Sequence, residues 1–496
     1  MSRPLDPRAV RSALAARLRA AAGAALDDVP DPDDDPARDA AILLDALAGA
    51  AAASDDAALT WLLLVATTGR YPRAAQVRAL RRRLVADPRP DALGHVLAFG
   101  LRSENRTNLL VAIDVVVGGV VVDVDFSARH DLNTGIQRVV RSTVPHWVAD
   151  HDLTLAAWSA NDALRELGPN ETDRVLRWSG PLRDHGRHAR AARVLVPWRS
   201  RVVLPEVPAP ALCAPLAAMA ELSGNTVSLI GYDAIPVVSA DTMPRDEPER
   251  FVHYLTLVKH AAVVSAISTS AGEEFSGFVD MLPTQGLRGP SVHVCTLPVE
   301  IPGDVAVPDE PQDRPASVLV VGSREPRKNH LAVLYAAEVL WREGLAFSLR
   351  FIGGSGWASG PFDSRVRALR RAGRAVTIGR AVSDADLWSA YRRARFTVFP
   401  SLHEGYGLPV AESFAVGTPV VTSDLGSMRD LAAGGGALLV DPRDDAALVE
   451  AMRRLLTDDA LRARLSAEAL ARPARSWRDY ARESWAQLVG PTGAER

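Results

Sequence analysis

The sequence predicts an α/β protein in which two doubly wound parallel-sheet domains face a cleft and follow an α-helical domain. From about residue 107, short apolar runs alternate with helical stretches, and this alternation starts again after a proline-rich acidic segment at 297–315. Before residue 107 the chain is rich in Ala, Leu and Arg and shows only helical patterns. The predicted parts are an accessory helical domain (1–106), a first sheet domain (107–300), a linker (301–316), a second sheet domain (317–474) and a terminal helix (475–496).

The composition is that of an ordinary soluble globular chain of roughly three domains. Of the 496 residues, 47% are hydrophobic and 24% are charged, and the formal net charge of -3 gives no argument for nucleic-acid binding. The only cysteines, Cys213 and Cys295, are too few for a disulfide framework or a Cys-rich zinc site. We therefore expect both to be buried apolar side chains in a protein of the reducing cytosol.

No segment of the sequence has the pattern of a membrane span. The N-terminal stretch carries charges throughout, which predicts an amphipathic helix rather than a signal peptide. The strongest candidate span, VAIDVVVGGVVVDVDF from Val111, is shorter than the roughly twenty residues that a bilayer requires. Because Asp114, Gly118 and Gly119 interrupt it, we expect two buried strands. The basic segment from Arg78 is expected to be a solvated helix face, with docking on anionic lipid as the alternative.

Strands are predicted where short β-branched apolar runs recur. In the first half these runs are VVVDVDF, TLAAW, RVLVPW, TVSLIGYD, AVVSAIS and SVHVC, and in the second half they are SVLVVGS, FSLRFIGG, AVTIG, FTVFPS and TPVVTSD. The intervening stretches are long enough for crossover helices, so both sheets should be parallel. Ligands of such sheets bind beyond the carboxyl ends of the strands.

The most informative stretch is FPSLHEGYGLPVAESF, in which Glu404 and Glu412 bracket a glycine-rich loop. Pro409 suits the first turn of the next helix, because its missing N–H costs nothing there. Gly405 and Gly407 allow a ligand to approach the backbone, and the N–H groups at a helix start favour a phosphate. Ionised carboxylates accept hydrogen bonds from sugar hydroxyls. Together these groups predict a site for a sugar nucleotide.

This stretch resembles the donor-binding signature of retaining glycosyltransferases of the GT-B fold, family 4. The resemblance covers roughly residues 120–490 and includes VGSREPRKNH, IGGSGW, IGRAVSDADLWSAYRRA, GTPVVTSD and, in the first half, DLNTGIQRVVR. It implies a Rossmann-like acceptor domain, a Rossmann-like domain for the donor nucleotide, and a C-terminal helix that crosses back to the first domain. The EPRKN and GxxGW features are similar to those of mannosyltransferase-like members.

The resemblance implies a role for each matched position. Lys328, with Arg327 or Arg324 beside it, supplies positive charge for the departing nucleoside diphosphate. Glu404 contacts the transferred sugar, and Glu412 binds the ribose hydroxyls. The implied catalytic residues are Glu404, Lys328 and Arg327. The implied donor-binding residues are Gly135, Gly322, Ser323, Arg324, Gly354, Val382, His403, Gly405, Tyr406, Gly407, Leu408 and Glu412, and the implied acceptor-side residues are Tyr232, Asp233 and Arg138.

Two positions depart from the family pattern. Ser323 stands where many relatives have an arginine directly after the glycine of the phosphate strand, so both Arg324 and Arg327 are candidates for the second cation. Tyr232 stands where relatives often have a histidine before the Asp of the DxIP segment. If such a histidine assists the chemistry, this chain works without it.

Asp123 and Asp125 form a D-x-D motif on the predicted strand VVVDVDF, where a period of two puts both side chains on one face. Paired carboxylates of this type bind a divalent metal in the other large glycosyltransferase fold. This pair precedes the glycine loop and lies far from the donor signature in the chain. We therefore expect hydrogen bonding at a strand end, no essential metal, and no cofactor besides the donor substrate.

The resemblance implies transfer of a hexose, with mannose from GDP-mannose favoured, to a surface-polysaccharide or lipid-linked glycan acceptor. The expected reaction is front-face substitution with retention, driven by positioning and electrostatics. The expected location is cytoplasmic, with peripheral contact at the inner face of the cell membrane left open. The alternatives are a non-catalytic scaffold subunit of a polysaccharide assembly complex and a GT-B sugar-nucleotide epimerase or phosphorylase. A dinucleotide oxidoreductase is disfavoured, because no G-x-G-x-x-G follows a first strand.

Overall fold

The computed structural model describes residues 5–54, 56–101, 106–178, 192–301, 316–380 and 382–490. The predicted linker, 301–316, therefore lies outside the described residues except at its two ends. Within the described ranges, no helix is long and apolar enough to cross a bilayer. Cys213 and Cys295 are both buried and free, as the composition predicts.

Helices alone make up the start of the chain. They are α1 (Pro7–Ala25), α2 (Pro36–Ser54), α3 (Ala57–Thr68), α4 (Ala74–Ala86) and α5 (Arg89–Leu101). The acidic, proline-bearing break that starts at Asp27 separates α1 from α2, which agrees with the sequence pattern. Asp6 caps α1, because its Oδ1 accepts a hydrogen bond from the backbone N of Arg8 at 2.9 Å.

A buried arginine joins these helices to the first sheet domain. Arg17 on α1 is 1% exposed, and its Nε donates to the carbonyl of Ala66 at 2.7 Å. Its Nη1 donates to the carbonyls of Leu109 and Val111, both at 2.9 Å, just before the first strand. Burial lowers the pKa of Arg17 to about 10, which leaves the guanidinium charged at neutral pH. The helices also share one continuous hydrophobic core with the first sheet domain.

The first sheet domain contains nine strands in its described part. They are β1 (Ala112–Val117), β2 (Val120–Asp123), β3 (Thr154–Trp158), β4 (Leu164–Glu166), β5 (Arg193–Trp198), β6 (Arg201–Leu204), β7 (Thr226–Gly231), β8 (Val263–Ala266) and β9 (Ser291–Val294). The main sheet has the order β4-β3-β2-β6-β7-β8-β9, and its neighbours are parallel except for β3 and β4.

Among the described residues of this domain, seven helices accompany these strands. They are α6 (Asp125–Arg129), α7 (Gly135–Asp150), α8 (Pro169–Leu176), α9 (Pro210–Leu222), α10 (Ile235–Val238), α11 (Glu247–Val258) and α12 (Thr269–Met281). The TGIQR motif thus lies at the start of α7, as the family resemblance implies.

One part of the strand prediction is wrong. β1 pairs in parallel with β5 in a separate two-stranded sheet and is only partly buried, whereas we expected it to be a buried strand. The central strand β6 was not predicted at all, because the longer run RVLVPW just before it is predicted to be the strand of this region. A sharp turn at Arg199, which has a φ of 47°, divides the two runs and lets β6 enter the main sheet.

In its described residues, the second sheet domain has six parallel strands. They are β10 (Ala316–Val321), β11 (Phe347–Ile352), β12 (Val376–Gly379), β13 (Phe396–Phe399), β14 (Val420–Ser423) and β15 (Ala437–Val440). Their order is β12-β11-β10-β13-β14-β15. The helices are α13 (His330–Arg342), α14 (Gly360–Arg371), α15 (Asp384–Arg393), α16 (Leu408–Ala415), α17 (Gly426–Ala432), α18 (Asp445–Thr457) and α19 (Asp459–Leu470). Both sheets are of the doubly wound type that the alternating pattern predicts.

The last helix, α20 (Trp477–Val489), returns to the first sheet domain. Trp147 on α7 donates its indole N–H to the carbonyl of Ala481 at 2.8 Å. At the end of α20, Nη1 of Arg201 on β6 donates to the carbonyl of Gly490 at 2.7 Å. The chain therefore crosses between the two sheet domains a second time, after the segment at 301–316.

Candidate active site

The candidate site lies where the connections of the second sheet change direction. The chain places β11 and β12 on one side of β10 and then crosses to β13 on the other side. Ligands of open parallel sheets bind at such a switch point, beyond the carboxyl ends of the strands. The loops that leave β10 and β13 there, 322–329 and 400–407, lead directly into α13 and α16.

Two glycines bring the loops after β10 and β11 together. A Cβ atom on Gly353 would lie 2.0 Å from the carbonyl oxygen of Gly322, so no larger residue fits at position 353. Gly322 itself has a φ of 144°, which residues with a side chain rarely adopt. The space over Gly322 is bounded by the side chains of Lys328 and His330.

A buried carboxylate is the centre of the site. Oε1 of Glu404 lies 2.6 Å from Nζ of Lys328 and 2.8 Å from Nη1 of Arg327. Ser401 donates its hydroxyl to the same carboxylate oxygen at 2.5 Å. Glu404 is 8% exposed, and all four groups come from the two loops at the switch point. The structure thus brings together the three residues that the sequence names as catalytic.

The charge of Glu404 is fixed by its two cationic neighbours. Burial alone would raise the pKa of this carboxyl, but Lys328 and Arg327 outweigh burial and lower the pKa to about 2. Conversely, the pKa of Arg327 is raised, because Glu404 outweighs the effect of its burial. The site therefore holds an ionised carboxylate and two cations at neutral pH.

The loop that carries Lys328 is tied to the loop that carries Glu404. Residues Pro326–Lys328 form a single 3-10 turn, and the carbonyl of Arg327 accepts hydrogen bonds from the backbone N of Leu402 at 2.8 Å and from Ser401 Oγ at 3.1 Å. In addition, Nη1 of Arg327 donates to the carbonyl of His403 at 2.5 Å. The guanidinium is consequently held next to Lys328.

The two arginines that the sequence leaves as alternatives occupy different surroundings. Arg324 is 3% exposed, and its Nη2 donates to Ser355 Oγ at 2.6 Å while its Nη1 lies 3.2 Å from Asp363 Oδ1. Ser323, the departure from the family pattern, donates its hydroxyl to the Glu325 carboxylate. Of the two arginines, Arg327 shares the Glu404 carboxylate with Lys328.

Lys328 also stands out in the composition. Lysine and arginine together number 57, and Lys259 and Lys328 are the only lysines among them. A lysine ammonium is a compact charge with three donors, whereas an arginine presents a planar fork. The chain therefore uses a lysine at the switch point although arginine fills almost every other cationic position.

Glu412, at the other edge of the loop, links the two sheet domains. It is 2% exposed, and its Oε2 accepts a hydrogen bond from the hydroxyl of Tyr391 at 2.7 Å. Its Oε1 lies 2.7 Å from Nη1 of Arg138, which comes from α7 in the first domain. The pKa of Arg138 is raised, because Glu412 outweighs the effect of burial. The structure thus joins a residue predicted for the ribose to one predicted for the acceptor side.

Gly405 makes room for the other domain, whereas the sequence suggested that it makes room for a ligand. A Cβ atom there would lie 2.4 Å from the carbonyl oxygen of Tyr232 in the first domain, and Ser268 Oγ donates to the carbonyl of Gly405 at 2.5 Å. The backbone that approaches Gly405 is thus that of the opposite domain. Asp233 lies at the same contact, and its Oδ2 is 3.0 Å from the position of a Cβ atom on Gly405.

A histidine bridges the domains beside this contact. Nε2 of His403 lies 2.6 Å from Oε1 of Glu274, and its Nδ1 lies 2.7 Å from Ser239 Oγ. Glu274 and Ser239 both belong to the first domain. Burial would lower the pKa of His403, but Glu274 outweighs it and the pKa is raised. Burial, helped by Glu274, raises the pKa of Asp233 to about 6.

The remaining predicted residues lie at the starts of two helices, on two loops of the second sheet, and, for Tyr406, in an apolar cluster. Gly407, with a φ of 99°, caps α16, and a Cβ atom on Gly135 would lie 3.7 Å from Leu408, so the starts of α7 and α16 meet. Gly354 and Val382 lie on the loops after β11 and β12, at the same edge of the sheet. Tyr406 does not point to the Glu404 cluster, because its ring is buried in an apolar cluster and its hydroxyl donates to the carbonyl of Leu297 at 2.6 Å.

The D-x-D motif has a structural role. β2 ends at Asp123, and Asp125 begins α6, so the two side chains are not on one face of a strand as the period of two suggests. Trp158 holds both carboxylates: its indole N–H donates to Asp123 Oδ2 at 2.7 Å and its backbone N donates to Asp125 Oδ1 at 2.8 Å. In the described ranges, no three His, Cys, Asp or Glu side chains are grouped to hold a metal ion.

The comparison with known protein families singles out the domain that carries this cluster. Residues 307–472 match the family model of glycosyl transferases group 1. This group 1 domain includes Lys328, Glu404 and Glu412 and ends just before α20.

Curated relatives of the chain include two from Escherichia coli. Serotype-specific mannosyltransferase WbdA is 25% identical over 336 residues, which are 63% of this chain and 38% of that protein. O-antigen chain mannosyltransferase B is 35% identical over 161 residues, which are 32% of this chain and 42% of that protein. The D-inositol 3-phosphate glycosyltransferase of Acidothermus cellulolyticus is 37% identical over 166 residues, 32% of this chain and 37% of the relative. The chain spans about two fifths of the length of these relatives.

Solved structures also match beyond the group 1 domain. Anabaena Alr3699/HepE, in complex with UDP and glucose, has a TM-score of 0.53 at 12% identity and covers 75% of this chain and 100% of its own. Sucrose-phosphate synthase from Thermosynechococcus elongatus has a TM-score of 0.50 at 17% identity and covers 74% of this chain and 97% of its own. These likenesses confirm the predicted GT-B fold, with its two Rossmann-like domains.

Several groups at the site were not predicted from the sequence. Ser401 lies within the quoted FPSLHEG stretch, and its place three residues before Glu404 was a usable signal. Tyr391 belongs to the motif IGRAVSDADLWSAYRRA, but nothing in that motif indicates that its hydroxyl contacts Glu412. Glu274 and Ser239 carry no sequence signal, because only the packing of the two domains brings them to His403.

Proposed function

We propose that this protein is a glycosyltransferase that moves a hexose from a nucleotide-diphosphate sugar to a hydroxyl group of a glycan acceptor. One observation carries the proposal: a buried, ionised Glu404 is paired with Lys328 and Arg327 at the switch point of a domain that matches glycosyl transferases group 1. Cations held in this way stabilise the negative charge that develops on a departing diphosphate.

Mannose is the sugar that the relatives favour. Two of the relatives above are named mannosyltransferases, one described as serotype-specific and one as an O-antigen chain mannosyltransferase. On that basis we propose GDP-mannose as the donor and a surface-polysaccharide or lipid-linked glycan as the acceptor. The proposed location is cytoplasmic, with contact at the inner face of the membrane through the acceptor.

The proposed reaction is front-face substitution with retention and without a metal. The acceptor hydroxyl attacks the anomeric carbon from the side on which the diphosphate leaves, the bond from that carbon to the phosphate oxygen breaks, and the hydroxyl proton passes to the phosphate. Lys328 and Arg327 bind the leaving group, and Glu404 holds both cations in place while it accepts a hydrogen bond from the sugar. Glu412 binds the ribose hydroxyls.

The test is thermal unfolding of the purified protein with GDP, UDP and ADP and with their common sugar conjugates, each with and without EDTA. A ligand that binds only the folded state raises Tm, by an amount that grows with its concentration over Kd. We expect one base to stabilise the protein, and we expect EDTA not to change the shift. Release of that diphosphate from its mannose conjugate, only when mannose-terminated oligosaccharide is present, would establish transfer. No shift with any nucleotide would overturn the proposal.

A further inference from the structure

His330 is a polar residue in an apolar position. It is the first residue of α13, directly after the loop that carries Lys328, and it is 4% exposed. Its ring packs against the rings of Phe351 and Phe362, with centroid distances of 5.4 and 5.8 Å. A histidine there has the packing of a core residue but carries two nitrogen atoms that need hydrogen-bond partners.

Neither nitrogen of His330 has such a partner among the described residues. A buried polar group left without a partner costs about 1–3 kcal/mol, so such groups are rare unless a ligand completes them. An apolar side chain of similar shape would avoid this cost. The position therefore retains a polar ring at the expense of stability.

The ring is directed at the space over Gly322. From the point where a Cβ atom on Gly322 would lie, Nε2 of His330 is 3.9 Å away, and Cδ and Cε of Lys328 are 3.7 and 3.8 Å away. Apart from Gly322 and its two chain neighbours, these are the nearest atoms to that point. A ligand atom there would touch the imidazole on one side and the Lys328 stem on the other, at the start of α13, where backbone N–H groups favour an anion.

The imidazole in this position is neutral. Burial, helped by the nearby Lys328, lowers the pKa of His330 to about 3, against a smaller opposing effect of Glu404. A neutral imidazole carries one N–H donor and one acceptor nitrogen. It therefore adds a hydrogen bond to an anion without a further buried charge beside two cations.

We propose that His330 is a diphosphate-binding residue, which donates a hydrogen bond from Nε2 to an oxygen of the donor's leaving diphosphate beside Lys328. The inference rests on the proposed function and adds a binding group that the motifs do not include. The hydrogen bond goes to the diphosphate, so His330 distinguishes a nucleoside diphosphate from the corresponding monophosphate. Binding also gives Nε2 the hydrogen-bond partner that it otherwise lacks.

The test compares nucleotide affinities of three variants by titration calorimetry with GDP, GMP, UDP and UMP. His330→Leu keeps the volume of the side chain and removes both nitrogens, so we expect an unchanged or higher Tm. The Kd for the preferred diphosphate should rise about 10-fold, which is about 1.4 kcal/mol. The Kd for the corresponding monophosphate should not change. His330→Gln places an amide N–H near the position of Nε2 and should restore part of the diphosphate affinity.

Phe362→Leu is the matched control, because it loosens the packing around the ring and leaves the nitrogens intact. It should lower Tm without changing the ratio of the two Kd values. An unchanged diphosphate Kd in His330→Leu would overturn the inference, and so would an equal loss for monophosphate and diphosphate. If the wild-type protein binds none of GDP, UDP and ADP, the proposed function itself fails, and the inference fails with it.

Discussion

Arg138 on α7 and Glu412 on α16 form an ion pair between the two sheet domains, with 2.7 Å between Nη1 and Oε1. The glutamate side of the pair is 3% exposed and the arginine side 37%. The same carboxylate is the one that we propose for the ribose hydroxyls. On that proposal, nucleotide binding and contact between the domains use the same group.

We predict that Arg138 and Glu412 are energetically coupled. Arg138→Ala leaves a buried carboxylate with only Tyr391 as a described donor, which should cost about 1–3 kcal/mol and lower Tm by a few degrees. Glu412→Gln should also lower Tm, and the double variant should lose less than the sum of the two. Arg453→Ala, which removes an exposed ion pair with Glu343, is the control and should leave Tm unchanged. Additive losses in the double variant would disprove the coupling.

Glu404→Gln should reduce sugar transfer at least about 100-fold, because the amide no longer balances Lys328 and Arg327 at the leaving group. The folded state should persist at 25 °C, which circular dichroism checks. Glu338→Gln, which alters a glutamate paired with Arg342 and Arg365 in the same domain, is the control and should keep wild-type transfer. Wild-type activity in Glu404→Gln would remove this carboxylate from the reaction.

Lys328→Ala should weaken binding of the preferred nucleoside diphosphate about 10- to 100-fold, because it removes one of the two cations at the phosphate position. The other lysine provides the control, since Lys259→Ala changes the same residue type outside the site. Titration with the diphosphate measures both. Equal Kd values for wild type and Lys328→Ala would show that this loop does not bind phosphate.

The His403 bridge should make the stability of the protein depend on pH. The pKa of His403 is raised in the folded state, so its stabilising contact with Glu274 is fully present below the ordinary histidine value of about 6.5 and is lost as pH rises through the raised value. Two further charged groups face the ring, Asp233 and Arg327. Asp233 acts in the same direction but at lower pH: because its pKa is raised to about 6 in the folded state, its contribution to stability is lost as pH rises from about 4 to about 6 and changes little above that.

The measurement is Tm from pH 5 to 9 for wild type, His403→Gln and Asp233→Asn. Wild type should lose stability as pH rises from about 6.5, and His403→Gln should lose less over the same range, because glutamine keeps a hydrogen bond but never carries charge. Asp233→Asn separates the contribution of that carboxyl near pH 6. Parallel curves for wild type and His403→Gln would show that the bridge does not titrate.

Local patterns predicted the part of the site that lies on neighbouring loops. FTVFPS forms β13, Pro409 lies in the first turn of α16, and Gly407 adopts the positive φ that a glycine allows. These features depend on residues within a few positions of one another. The strand, the loop and the helix start could therefore be predicted from local patterns.

Features that depend on packing between domains could not be predicted from the sequence. Glu274 is 129 positions from His403, and no local pattern encodes their contact. Gly405 was assigned to ligand approach, whereas its close neighbour is the backbone of Tyr232. The prediction that Asp123 and Asp125 share one face of a strand was wrong. A period of two applies only within a strand, and β2 ends at Asp123.

The scarcity of lysine turns Lys328 into a natural spectroscopic label. Reductive methylation with ¹³C-formaldehyde modifies lysine amines and leaves arginine untouched, so the lysine side chains of the native chain would give methyl signals from Lys259 and Lys328 alone. The side chain of Lys328 is 11% exposed and lies against Glu404, so its signal would report on the centre of the site. Titrating nucleotides into such a sample would follow the site by NMR without any substitution.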